Sequence, residues 1–336
     1  MTSWVRTALR RAGAIGVVAA VSSGLWLAPS ATAKDAGPVA GTGDGVRLAI
    51  AEVDLDGPAI SPVTVTVTNG SAASLQQVRV SLRAPIGWSV APDVTSVSGS
   101  VKPGSAVDVT FQVRVPEPTE RFTLRTFTAT ATYKTSGQAG ETSVTRTQHT
   151  GVAHADLASA YDNVGVSDES DPTAGNFDGD GNSYSAQALA AAGVTPGSQV
   201  EGPDATFTWP DVPIGSPDNV ATRGQTIATT GQGERLAFLG AATGGGPGTV
   251  TVTYTDGSTS TATLGFPNWC CASPTQHGAT PVVEMDHRNT PQGPANYGYT
   301  YRVFSNTIPL DASRTVAYVT LPSTAMHVFD MRIVAP

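Results

Sequence analysis

VTVTVTN, residues 63–69, is the plainest structural statement in this chain. Valine and threonine alternate with a period of two, so an extended strand here has one apolar face and one hydroxylated face. The alternation returns in VRVSL (78–82) and VDVTF (107–111), then over 122–133 and 143–152. Gly, Pro, Asn or Ser bound each run, the punctuation of an antiparallel sandwich extending over 46–155. Further strands are predicted over 205–209, 225–229, 235–239, 249–254 with 260–264, 282–285, 299–308, 315–321 and 327–334. Asp256-Gly257 predicts a two-residue hairpin turn. In 327–334 Phe329, Met331 and Ile333 alternate with Val328, Asp330, Arg332 and Val334, which places an apolar row on one face. One short helix is predicted over 185–192, capped by Ser185 and stopped by Gly193. A jelly roll over 156–336 suits this second set of strands.

The 336 residues include 36 Gly and 24 Pro, and only 14% are charged. That mixture fits a secreted all-β protein long enough for two sandwiches. Arg6, Arg10 and Arg11 precede a nearly uncharged apolar run from Ala12 to Leu27, and Ser30-Ala31-Thr32-Ala33 supplies small residues for cleavage. This three-part pattern predicts a signal peptide over 1–33, followed by a flexible leader over 34–45 and a secreted, extracellular protein. No later segment reaches the ~20 apolar residues of a membrane span. Cleavage would remove three arginines and no acid from a chain of formal charge −8. So acidic a surface argues against nucleic acid and anionic membrane as partners.

Between Gly151 and Thr222 there are eleven carboxylates and no lysine or arginine. Mutual repulsion makes such a stretch costly, and a calcium ion held by loop oxygens would relieve it. Asp178-Gly-Asp180-Gly-Asn182 matches the opening of an EF-hand loop. The match then fails, with Ser183 at the glycine position and Leu189 at the bidentate glutamate position. Two readings stand. In one, loop carboxylates bind calcium, with Asp168, Asp178, Asp180 and Asn182 as first candidates. In the other, these are ordinary turn residues facing water.

VTVTVTNGSAASLQQVRVSLRAPIGWSVAP, SVKPGSAVDVTFQVRVP and FTATATY together resemble the NPCBM-associated domain of bacterial alpha-galactosidases. That resemblance implies an immunoglobulin-like sandwich without catalytic residues. The second half carries NVGVSDES, NFDGDGNSYSAQALAAAGVTPG, FTWPDVPIGSPDNV, RLAFLGAATGGGPGTVTVTYTDGS and TIPLDASRTVAYVTLPS. It resembles the accessory β-sandwich module of secreted bacterial glycoside hydrolases of the exo-alpha-mannosidase type. What this implies is an accessory role in carbohydrate binding, with a separate glycoside hydrolase as a partner. The fold class expected is therefore all-β, two β-sandwich domains, Ig-like followed by jelly-roll-like.

Sugar binding needs an aromatic platform and polar groups to fix hydroxyls. The candidates are Trp269, Tyr184, Tyr297 and Tyr299, with Asn268, His287 and Arg288 as polar partners. Trp209 and Tyr301 lie inside strand patterns and read as core, and Trp88 beside a turn reads as core sooner than platform. Cys270 and Cys271 are the two cysteines. Pairing them makes a vicinal disulfide in an eight-membered ring beside Trp269; two buried thiols or a link to another chain are the alternatives. No nucleophile elbow, zinc-protease motif, phosphate loop or metal-spaced histidine set occurs, so no catalytic residue is assigned. Three functions follow in order: a non-catalytic glycan binder, a structural or adhesive surface protein, and a glycosidase-like enzyme.

Overall fold

The computed structural model describes residues 45–335. The expected signal peptide and leader lie outside them, Gly45 excepted. Val63, Val65 and Val67 are fully buried in the strand Ala59–Asn69, with half-exposed Thr64 and Thr66 between them. This strand pairs antiparallel with Val46–Ile50 and Ala106–Val115, and Ser89–Ala91 completes the sheet. The facing sheet orders Val94–Ser96, Leu75–Arg83, Thr123–Thr135 and Gln138–Thr150. Val65, Val80, Phe111, Phe127 and Ala131 share the core between them. Each such side chain stabilises by about 1.5–3 kcal/mol when fully buried, valine and phenylalanine alike. Half-buried Trp88 packs against this core, its edge on Phe127 at 5.9 Å and Arg125 over its ring.

The second sandwich has its own core, running from Leu157 to Phe329. One sheet orders Val220–Arg223, Ser323–Val334, Arg235–Ala242, Tyr301–Pro309 and Thr280–Met285; the other orders Thr226–Gly231, Val316–Thr320, Gly248–Tyr254 and Thr259–Leu264. A smaller sheet joins Gly293–Ala295, Arg288–Thr290, Ser183–Ser185 and Val166–Ser167. The helix forms over Ala186–Ala191, where the Ala188 amide donates to Ser185 Oγ at 3.0 Å and Gly193 adopts φ +85°. The protein is all-β, a pair of sandwiches, as its patterning predicts.

Two local details differ from expectation. The Asp256-Gly257 turn holds three residues between Tyr254 and Ser258, whose ends close through the Tyr254 amide and the Ser258 carbonyl at 2.9 Å. Asp256 Oδ1 accepts from the Ser258 amide, and Gly257 takes φ +81°, the left-handed position of a three-residue loop. In Ser323–Val334 the apolar row is broken. Register slips between the pairs Leu239–Asp330 and Gly240–Val328, making Phe329 the extra residue of a bulge. A bulge re-aims a side chain; Phe329 stacks with Trp209 at 4.6 Å, and Phe177 and Tyr184 lie against it. These three partners come from the acid-rich stretch, so that stretch is pinned down by its aromatics.

The chain passes from one sandwich to the other through His154. Its amide donates to the Thr226 carbonyl, and its carbonyl accepts from the Ala228 amide, both at 2.8 Å. Phe122 and His149 pack on Tyr318 with ring centroids 4.9 and 5.5 Å apart. Beside this contact lies a cleft of about 1360 Å³. No helix among the described residues is long and apolar enough to cross a membrane.

Candidate functional site

Four of the eleven acids pair with basic side chains outside the stretch. Arg223 meets Asp162 at 3.3 Å, Arg288 meets Asp178 at 3.4 Å, and Arg235 pairs with Asp204. His287 Nε2 lies 2.9 Å from Glu169 Oε1. Two of the proposed calcium ligands, Asp178 and Asp168, already accept several hydrogen bonds. Asp178 accepts from the Asp180 and Asn182 amides through Oδ1, and from Asn182 Nδ2 and Arg288 through Oδ2. Asp168 accepts from the Ser170 amide and hydroxyl and from Gln187 Nε2. No group of three or more acids, histidines or cysteines is arranged to hold a metal ion among the described residues. Adding calcium or a chelator should move the melting temperature by less than ~1 °C, whereas a rise of several degrees with calcium would restore a metal site.

The predicted sugar residues separate into two groups. Tyr184 and Trp269, 0% and 2% exposed, sit in one aromatic cluster with Phe177 and Tyr301. Tyr184 Oη donates to the Arg302 carbonyl at 2.8 Å. Neither ring can lie under a sugar. Asn268 is committed to its own loop: Nδ2 donates to the Thr243 carbonyl, and Oδ1 accepts from the Cys270 and Cys271 amides. The other four come together. Tyr297 and Tyr299 are 61% and 56% exposed, and Tyr297 stacks on His287 with centroids 4.5 Å apart. Arg288 follows His287 in the chain, its guanidinium 5.7 Å from the Trp269 ring and 5.8 Å from the Tyr301 ring.

Four further residues complete this site, none of them a sugar candidate in the sequence. Asp286 Oδ1 holds His287 Nδ1 at 2.6 Å, Glu169 holds the other nitrogen, and Ser185 Oγ donates to Glu169 at 2.7 Å. With its side-chain amide turned so that the oxygen faces the guanidinium, Asn296 accepts from Arg288 Nε and Nη2 at 3.1 and 3.2 Å, and it takes φ +66°, a left-handed turn that asparagine tolerates. The 296–299 turn closes as the Tyr299 amide donates to the Asn296 carbonyl. The exposed tyrosines are therefore borne on a turn fastened from beneath by Arg288 and His287.

Hydrogen bonds from His287 and Ser185 hold the Glu169 carboxyl below its ordinary range. Burial works against the charged imidazole of His287, but the hydrogen bonds and charges of Glu169 and Asp286 outweigh it and raise its pKa. Glu169 adds stability above its ordinary 4.5, lost as pH falls through its folded value. His287 adds stability below its ordinary 6.5, lost as pH rises through its folded value. The melting-temperature difference between the native protein and His287→Gln should thus peak between about pH 4.5 and 6.5 and shrink on both sides. A difference independent of pH would show that the imidazole is not charged in this pairing.

Residues 60–134 match the NPCBM-associated, NEW3 domain of alpha-galactosidase. Residues 153–335, more than half of the chain, match the AziU2-like beta-sandwich domain. The chain belongs to the AziU2-like beta-sandwich family. Both matched domains are accessory sandwiches, not catalytic types. A search of curated proteins found no match. Among solved structures, the GAE domain of GGA2p from Saccharomyces cerevisiae is 12% identical over 32% of this chain and 92% of its own, with a TM-score of 0.24. The secreted serine protease VesC from Vibrio cholerae is 11% identical over 82% of this chain and 47% of its own, with a TM-score of 0.27. This chain thus spans about half of VesC, and at such scores neither likeness bears on fold or function.

In the AziU2-like sandwich, Cys270 and Cys271 form the vicinal disulfide, with Cα atoms 3.7 Å apart. Cys270 is half-buried and Cys271 exposed. Asn268 Oδ1 gathers both cysteine amides, which fixes the tight turn the ring requires.

Proposed function

We propose that this is a secreted, non-catalytic accessory protein whose AziU2-like sandwich binds carbohydrate on the Tyr297–Tyr299 turn. One observation carries the reading: Tyr297 and Tyr299 are the exposed aromatic side chains among the described residues, and they stand two positions apart on one fastened turn. An aromatic face takes the C–H face of a sugar ring, and adjacent carboxylates accept from its hydroxyls. Asp286, 76% exposed at its side chain and bonded to the imidazole under Tyr297, is placed to be such an acceptor. The NPCBM-associated match supports a carbohydrate context, because that domain is described from alpha-galactosidase. A disulfide supports an oxidising compartment, in keeping with the signal-like residues 1–33. A separate glycoside hydrolase would be the partner that gains from such targeting.

Retention on an insoluble polysaccharide, or a positive response on a broad glycan array, is the expected result, with no release of reducing sugar. Absence of binding across neutral and acidic glycans would overturn the proposal. Turnover of a glycoside by the purified chain would overturn its non-catalytic part.

A further inference from the structure

A second pocket, which does not include the exposed tyrosines, opens at the ends of three neighbouring strands. It has a volume of about 440 Å³ and is lined by Thr222 and Arg223, by Thr243, and by Ser323 to His327, with Asn163 and the 176–179 loop opposite. That size suits a small ligand. His327 is only 6% exposed, and its ring packs on Phe177 with centroids 4.1 Å apart.

A hydrogen-bond chain fixes which nitrogen of His327 carries the proton. Asn219 Nδ2 faces three acceptors: Asp218 Oδ1 at 2.6 Å, Asn163 Oδ1 at 3.0 Å and the Asn163 carbonyl at 3.2 Å. The amide orientation is thereby set, and Asn219 Oδ1 must accept from His327 Nδ1 at 2.7 Å. Asp218 is anchored in turn by the Gly165 and Val166 amides, each 2.9 Å away. Nε2 is left as a bare acceptor, and it has no partner among the described residues. Burial holds the imidazole down to about 4, with Arg223 pushing the same way, so the ring is neutral in ordinary conditions.

Two more groups in this pocket lack partners. Thr324 Oγ1 is buried without a hydrogen bond. The side chain of Asn176 accepts from the Gly181 amide through Oδ1, while Nδ2 has no acceptor among the described residues. An unmade hydrogen bond at a buried atom such as Thr324 Oγ1 is costly, and His327 Nε2 and the exposed Asn176 amide line the same pocket, where a ligand can meet them. An acceptor, a hydroxyl and an amide donor are satisfied together by neighbouring hydroxyls, which donate and accept at once. An anion would meet the bare Nε2 and Asp178, and a cation would meet Arg223. Arg223 and Ser323 also line the larger cleft between the sandwiches, so the pocket adjoins a longer groove.

We infer that this pocket is a second ligand site, which takes a neutral hydroxylated ligand, a sugar unit or chain end, by donation of a ligand hydroxyl to His327 Nε2. Thr324 Oγ1 and Asn176 Nδ2 bond the neighbouring oxygens.

The test is histidine nitrogen NMR on the full chain with ¹⁵N-labelled histidine. D-mannose, D-galactose, D-glucose and N-acetylglucosamine are titrated separately. The expected result is an unprotonated Nε2 resonance for His327 that moves saturably with at least one sugar. The response persists in the Tyr297→Ala, Tyr299→Ala double variant, which separates this site from the exposed tyrosines. Thr324→Val and Asn176→Ala, checked for unchanged melting, should each weaken it about tenfold, the worth of one hydrogen bond. A protonated Nε2, no movement with any of the four sugars, or a response lost with the tyrosines would each overturn the assignment.

Discussion

Trp269→Ala should destabilise the second sandwich by about 3–5 kcal/mol, the usual cost of deleting a buried indole. Trp269 is one of the residues that sequence reasoning offers as a sugar platform, so the result separates two roles. Its ring lies 5.1 Å from Phe177, 4.9 Å from Tyr184 and 5.0 Å from Tyr301, and it supports the Arg288 guanidinium. Removing it opens a cavity among rings held by several elements, which cannot all move to fill it. It also loosens Arg288, and with it the Asn296 contact that holds the tyrosine turn. Denaturant unfolding followed by near-ultraviolet dichroism would measure the loss. A cost under ~1 kcal/mol with glycan retention abolished would return Trp269 to the binding surface.

The opposite pattern is expected for Tyr297→Ala with Tyr299→Ala. Both side chains are more than half exposed, so truncation gives up little burial and should change stability by about 0.5 kcal/mol or less at each site. If they form the sugar platform, the same change should weaken glycan binding by about 30-fold or more, the ~2 kcal/mol scale of an aromatic anchor. Tyr297→Phe should retain most of the affinity, because the ring face remains. Unchanged retention in the double variant would remove this turn from the binding site and leave the His327 pocket to account for any sugar affinity.

The EF-hand-like text at Asp178 shows how a local pattern specifies a turn but not its distant partners. Acids two apart on a glycine-rich loop do form a tight turn, with Asp178 accepting from both Asp180 and Asn182 amides. The Asp178 charge is paired with Arg288, 110 residues away, and no local rule finds such a partner. The same limit hides Glu169 and His287, which meet across 118 positions. His327 belongs to the last predicted strand, yet its role depends on Asn219, 108 residues earlier.

Strand alternation, turn residues, the serine-capped helix and the neighbouring cysteines are all written locally. Their physics acts over two to four residues, through pleat, backbone dihedral and cap hydrogen bond, so the paired sandwiches follow from the amino-acid order alone. Which aromatics face outward was decided only in three dimensions. Trp269 and Tyr299 have similar loop-like surroundings in the sequence, yet one is 2% exposed and the other 56%. The difference arises because the acid-rich stretch folds across the sheet and covers the first ring, while Arg288 and His287 hold the turn bearing the second ring at the surface. Burial and charge pairing are sums over neighbours in space, and those neighbours are chosen by the packing of distant segments.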